Sequence, residues 1–216
     1  MTCREITGNV HTRSNVDRNR YRWLHEDGKK LIKSWFDRAW KKRNCRDRNS
    51  FEPYIYAWIA LNGWASCVTD LDRDMAWKVA LMEDDGICDD FSRLIRDPHS
   101  SVSKYARQLY DLWPIFKAQE IRRQGVRDWN AKTRRLVVAH YLSRGVQRYE
   151  PQCWGRHRAE ASEVPLDWPH TLAVLYRVRC NLFHGEKSPH SEMDAKIVGK
   201  SFKVLVNLLD EAGYLS

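Results

Sequence analysis

Apolar residues recur along most of this chain at helical spacing, three and four positions apart, and punctuation by Pro, Gly and polar clusters divides them into segments. From Tyr21 to about Arg43, the positions Trp23, Leu24, Leu31, Ile32, Trp35, Phe36, Ala39 and Trp40 recur at helical spacing. Gly28 weakens the first turns of this segment, and the polar run from Asn44 to Ser50 ends it. Residues Phe51 to Val68 are apolar on nearly every face, with Pro53 suited to a first turn, so this segment is expected to be the central helix. Asn62 within it is then a buried polar group in need of a partner, most simply a neighbouring helix. Asp72 to Asp84 reads as another helix, pairing in a hairpin with the segment around Phe91-Ser-Arg-Leu-Ile95. Val102 to Leu112 follows, stopped by Trp113-Pro114.

The second half is more broken. Residues 117–128 are basic and give no clear element, and Ala131 to Leu142 returns to helical spacing. Residues 144–165 hold Gly145, Pro151, Gly155 and Pro165 and read as a loop excursion pinned by Cys153 and Trp154. Asp167 is an expected N-cap with Pro169 in the first turn. In the helix it opens, Leu172, Tyr176, Arg179 and Phe183 share one stripe. The loop Gly185 to His190 leads to a capping box, Ser191-Glu-Met-Asp194, and a last helix to about Glu211. No segment alternates as a strand would, so the class is all-α. Residues 1–19 are polar and aperiodic and read as a flexible arm; residues 20–216 read as a single helical domain.

Composition fits that picture. Hydrophobic residues make up 43% and charged residues 30%, and ten Trp, nine Tyr and six Phe can build a large core. The net charge is +9, which favours a polyanionic partner, nucleic acid first, over a merely solvated basic surface. Six cysteines form no C-x-x-C pair, and Met1-Thr-Cys-Arg-Glu5 leads into polar sequence. A cytoplasmic protein with reduced thiols is therefore expected. No apolar run reaches the ~18 residues of a membrane span. Cys153 and His157, with His170 downstream, offer ligand types for zinc but lack a second pair at a usual spacing, so no metal and no cofactor is expected.

The candidate chemistry lies in Tyr176-Arg-Val-Arg-Cys-Asn-Leu-Phe-His-Gly-Glu-Lys187, where four residues separate Arg179 from His184. The same spacing occurs at Arg20–His25 and Arg135–His140, within or ahead of helical runs. Along a continuous helix such a pair lies about 140° apart. The Arg179 pair differs because Gly185 follows its histidine: a left-handed cap there lets His184 leave the helical track and turn back toward Arg179. Arg179 shares a face with core-type residues, so it either meets an acidic partner inside or lines a pocket or interface. A fixed guanidinium beside an imidazole can stabilise phosphate charge and move protons near neutral pH, which is what RNA cleavage needs. The bland alternative is that both side chains cap a helix end.

These residues resemble the HEPN superfamily of helical bundles. Tyr54-Ile-Tyr-Ala-Trp-Ile-Ala-Leu-Asn-Gly-Trp64 is similar to the apolar helix of one branch; Arg179-Cys-Asn-Leu-Phe-His184-Gly-Glu-Lys matches the Arg-x(4–6)-His signature; a capped terminal helix follows. The resemblance covers about half the chain. It implies a HEPN-type bundle with additional helices and a metal-independent endoribonuclease, a toxin or antiphage effector. Catalysis would fall to Arg179 and His184, with RNA as substrate and a homodimer that brings two motifs to its two-fold axis. An antitoxin or other regulatory partner would restrain it. Asn181, Lys187 and Lys200 would add donors for phosphate or RNA, and Asn62 and Tyr176 would support the site. Cys180 stands where many members carry Asn, Asp or His. Glu186 stands where an adenylylated toxin branch carries Tyr, so that regulatory route is not implied. Rival readings are a noncatalytic HEPN-like module that binds a protein or nucleotide, and a basic nucleic-acid-binding regulator.

Overall fold

The computed structural model describes residues 16–117, 149–185, 187 and 189–216. The predicted helix at 131–142 and the basic stretch from residue 118 onward lie outside them, as do residues 1–15 of the arm. The described chain is predominantly helical: α1 Asn19–Trp23, α2 Glu26–Trp40, α3 Phe51–Thr69, α4 Asp74–Glu83, α5 Asp85–Arg96, α6 Ser101–Tyr110, α7 Trp154–Ala159, α8 Trp168–Phe183 and α9 Glu192–Glu211. No helix among the described residues is long and apolar enough to cross a membrane.

The single helix expected from Tyr21 to Arg43 is two. Leu24 and His25 leave helical geometry, and the His25 side chain accepts from the Asp27 N–H to start α2. The break lets Tyr21 turn into the core while Trp23 and Leu31 stay exposed, so the apolar stripe is only partly a core stripe. The other correction is a minimal antiparallel pair, β1 Ile115–Phe116 with β2 Tyr149–Glu150, in register Ile115↔Glu150 and Phe116↔Tyr149. Two residues per strand are too few for alternation to register in a sequence. The all-α class stands around this pair. The 144–165 excursion accordingly carries β2 and α7.

Helix α3 is central because it is apolar all round: Tyr54, Trp58, Leu61, Trp64 and Val68 are all buried. Helix α2 lies along one side of it and α9 along another, and α9 also packs on α6. Asn62 is half-buried on α3, not enclosed as expected. It sits on the one strip of the helix that faces outward, and this removes the need for a helix-to-helix hydrogen bond.

Polar contacts fix the helix ends. Glu211, at the end of α9, accepts from the Ser101 N–H at 3.0 Å and from the Ser100 hydroxyl, closing the start of α6. Asp84 accepts from the Ile87 N–H at 2.8 Å and makes the sharp α4–α5 corner. At the other end of the described chain, residues 16–18 are tied down: the Asp17 N–H donates to Val68 O, and Arg18 pairs with Asp90 at 2.7 Å.

Candidate functional site at the C-terminal end of helix α8

Helix α8 begins where the sequence expects. The Asp167 carboxylate accepts from the His170 N–H at 3.0 Å, and Pro169 occupies the first turn. Trp168, buried, donates from its indole N–H to Leu81 O at 2.9 Å, fixing this end against α4. One turn before the motif, the Tyr54 hydroxyl donates to Leu175 O at 2.7 Å, fixing the helix against α3. Burial pushes the Tyr54 phenol well up, so it remains a donor.

The stripe Leu172, Tyr176, Arg179, Phe183 runs outward along α8. Leu172 is fully buried, Tyr176 and Arg179 are half-buried, and Phe183 is 51% exposed. Arg179 does meet an acidic partner: its Nη2 lies 2.9 Å from Oδ2 of Asp74, the first residue of α4. Its guanidinium carbon also lies 4.7 Å from the Phe183 ring centre. Its Nε is buried with no hydrogen-bond partner among the described residues.

His184 is the C-cap of α8. Its backbone N–H donates to Cys180 O at 3.1 Å, and Gly185 takes φ +66°, the left-handed conformation that ends the helix. The His184 side chain is exposed, and among the described residues no hydrogen bond links it to Arg179. The cap thus frees His184 from the helical track, while Arg179 is drawn toward α4. Phe183, against whose ring Arg179 lies, is the residue before His184 in the chain.

The remaining expected donors have partners within the fold. Asn181 is buried and donates from Nδ2 to Phe116 O at 2.8 Å, joining α8 to β1. Lys187 Nζ lies 2.5 Å from Asp194 Oδ1 and is almost enclosed. Lys200 reaches Asp47 at 3.1 Å, and Lys203 reaches the other oxygen of Asp47 at 3.0 Å. Gly199 makes room for this: a Cβ there would stand 2.5 Å from the Asp47 carboxylate. Asn62 lies on α3 and has no hydrogen bond to any of these residues.

Tyr176 occupies the centre of a cluster that the sequence alone does not reveal. Lys78, one turn after Asp74 on α4, places its ammonium 4.8 Å from the Tyr176 ring centre. The Trp58 ring of α3 lies tilted against the phenol, with ring centres 5.9 Å apart. Burial, with the neighbouring Cys180 and Asp74, pushes the Tyr176 phenol up, against the pull of Arg179. Arg177 meets Glu150 of β2 at 3.5 Å. Burial raises the Glu150 carboxyl, and Arg177 and Lys78 oppose that rise. Burial lowers the Lys78 ammonium, against Glu150. The i, i+4 spacing of Asp74 and Lys78 was the one available signal, since it puts both on a single face of α4.

The zinc-type residues separate. His157 Nδ1 lies 2.8 Å from Ser162 Oγ, whereas Cys153 Sγ lies 3.1 Å from His170 Nε2. Among the described residues no three His, Cys, Asp or Glu side chains are grouped as a metal site needs. No family model, no curated protein and no solved structure matches this chain.

Proposed function

We propose that the protein is a metal-independent endoribonuclease of HEPN type whose site is the C-terminal end of α8. The reading is supported chiefly by the placement of Arg179. Its guanidinium lies against the exposed Phe183 next to the exposed His184, and its Nε–H lacks an acceptor among the described residues. That is a cation beside an aromatic face on which a base can stack and an imidazole open to solvent.

In the reaction an RNA 2′-OH attacks the adjacent phosphorus and the P–O5′ bond breaks, giving a 2′,3′-cyclic phosphate and a 5′-OH. His184 takes the 2′-OH proton or supplies one to the departing 5′ oxygen. Arg179 releases Asp74 and binds the non-bridging oxygens as charge grows on them. A homodimer that opposes two such helix ends would supply the second imidazole and a groove for single-stranded RNA. In this reading Tyr176 and Lys78 hold Arg179 and its surroundings in place, and a toxin or defence role with a restraining partner follows from the resemblance.

A second reading has a specific observation in its favour. Arg179, Lys187 and Lys200 are each paired with a carboxylate. A noncatalytic module that binds a protein, a nucleotide or nucleic acid requires none of them free. One experiment separates the two: wild type and His184→Ala, each incubated with mixed RNA in EDTA. Cleavage in EDTA that the substitution abolishes, with cyclic-phosphate ends on the fragments, is the expected result. Salt-sensitive RNA binding without any cleavage in the wild type would sink the nuclease reading.

A further inference from the structure

Away from the α8 end, three side chains form a relay that the proposed function does not use. Cys153 Sγ lies 3.1 Å from His170 Nε2, and His170 Nδ1 lies 2.6 Å from Asp167 Oδ1. Cys153 and His170 are buried, at 6% and 7% exposure, while the Asp167 side chain reaches solvent. The Asp167 carboxylate accepts the ring Nδ1–H, which fixes the tautomer and leaves Nε2 directed at the thiol. The order is that of an activated nucleophile: a carboxylate orients an imidazole, and the imidazole takes the proton from sulfur.

We infer that Cys153 is a nucleophilic thiol and a site of covalent modification by small uncharged hydroperoxides, activated by His170 and Asp167. The inference is independent of the ribonuclease reading. Before attack the thiol proton has passed to His170 Nε2, and the imidazolium so formed is the form that the Asp167 carboxylate holds beside the sulfur. The sulfur then attacks one peroxide oxygen, an S–O bond forms and the O–O bond breaks. The imidazolium returns its proton to the departing oxygen. With hydrogen peroxide the products are a cysteine sulfenic acid, water and neutral His170; sulfur is oxidised by two electrons and the peroxide is reduced by two. The narrow exposure of Cys153 selects a reagent of peroxide size.

Three thiols among the described residues have other surroundings. Cys45 donates to Asn49 O and shares a contact with Ser50 Oγ, Cys88 donates to Met82 O, and burial pushes the Cys67 thiol up. A carbonyl or hydroxyl neighbour cannot carry off the thiol proton as an imidazole can. Oxidation would also act on the fold, because the sulfur–imidazole contact ties the start of α7 to the first turn of α8, the helix that carries Arg177 and Arg179.

The test exposes the folded chain briefly to hydrogen peroxide at neutral pH, then quenches it into denaturant containing dimedone and maps the adducts by peptide mass. In the wild type Cys153 should carry at least about tenfold more adduct than any other cysteine. His170→Asn should remove that excess. Asp167→Asn should reduce it several-fold while keeping the helix cap, since Asn caps as well as Asp, and circular dichroism checks that this variant folds. Cys153 unlabelled in the native wild type, or labelled equally in wild type and folded Asp167→Asn, overturns the inference.

Discussion

Asp74 and Arg179, 105 positions apart in the chain, meet at 2.9 Å across the α4–α8 contact. The aspartate is the first residue of its helix, so its charge already has a favourable place beside the α4 N–H groups. Arg179 therefore adds to a carboxylate that is partly satisfied. The pair is about three-quarters shielded on both sides.

If phosphate replaces Asp74 at Arg179, removing the carboxylate should strengthen RNA binding. Asp74→Asn is expected to tighten binding of a short single-stranded RNA by up to about fivefold, the equivalent of the ~1 kcal/mol a partly exposed ion pair contributes. Filter binding at fixed salt reads this directly. Arg179→Ala should weaken binding in the same assay. Equal affinities in all three proteins would show that RNA does not contact the guanidinium.

Gly185 makes a separate prediction about the helix end. At φ +66° a β-carbon is strained even though nothing lies within 4 Å of where it would stand. Gly185→Ala should cost about 1 kcal/mol in urea unfolding through the backbone alone. If cleavage depends on His184 leaving the helical track, activity should fall further than stability does. A variant as stable as wild type would mean that the α8 end does not adopt the left-handed cap.

The ends of α8 and α9 were legible in the sequence because their signals are local. Asp167 with Pro169, Gly185, and Ser191 with Asp194 each act within one turn, and each sits where its residue type requires. The central place of α3 was legible for a related reason, since a segment apolar on all faces has nowhere else to go. The partners of the charged residues were not. Asp74, Glu150, Asp47 and Asp194 each neutralise a cation, and only Asp194 is near its partner in sequence. Periodicity can place Arg179 on a half-apolar stripe, and so require a partner, but it cannot say which of 28 acidic residues supplies it. The break at Leu24–His25 left no mark in the period because Leu24 and Leu31 stand seven positions apart and so keep helical register across the polar run between them.

Lys200 illustrates the consequence for site prediction. Its ammonium and that of Lys203 grip the two oxygens of Asp47, and Gly199 is what lets Asp47 approach α9. Gly199→Ala would drive a methyl into the carboxylate and should destabilise the fold by about 1–3 kcal/mol in chemical unfolding. Lys200→Ala should cost about 1 kcal/mol or less. RNA binding that drops much more for Lys200→Ala than its stability does would return this lysine to the interface; binding unchanged leaves it as a strut for the turn before α3.

His170 sets a pH dependence whose sign follows from its surroundings. Burial pulls its imidazolium down, but the hydrogen bonds to Asp167 and Cys153, with their charges, outweigh that and push the pKa up to about 11 from an ordinary 6.5. The folded chain thus holds this proton more tightly than the unfolded chain does. The stabilisation is fully present below pH 6.5, declines as pH rises above it, and is lost above about pH 11. Other groups titrate in the same range, so the informative quantity is the difference between wild type and Asp167→Asn, in which the cap persists and the carboxylate is gone. Urea midpoints measured at pH 6, 8 and 10 should show wild type ahead by most at the lowest pH, with the gap closing steadily as pH rises. A gap that stays constant across the series would mean that the carboxylate does not hold His170 in its charged form.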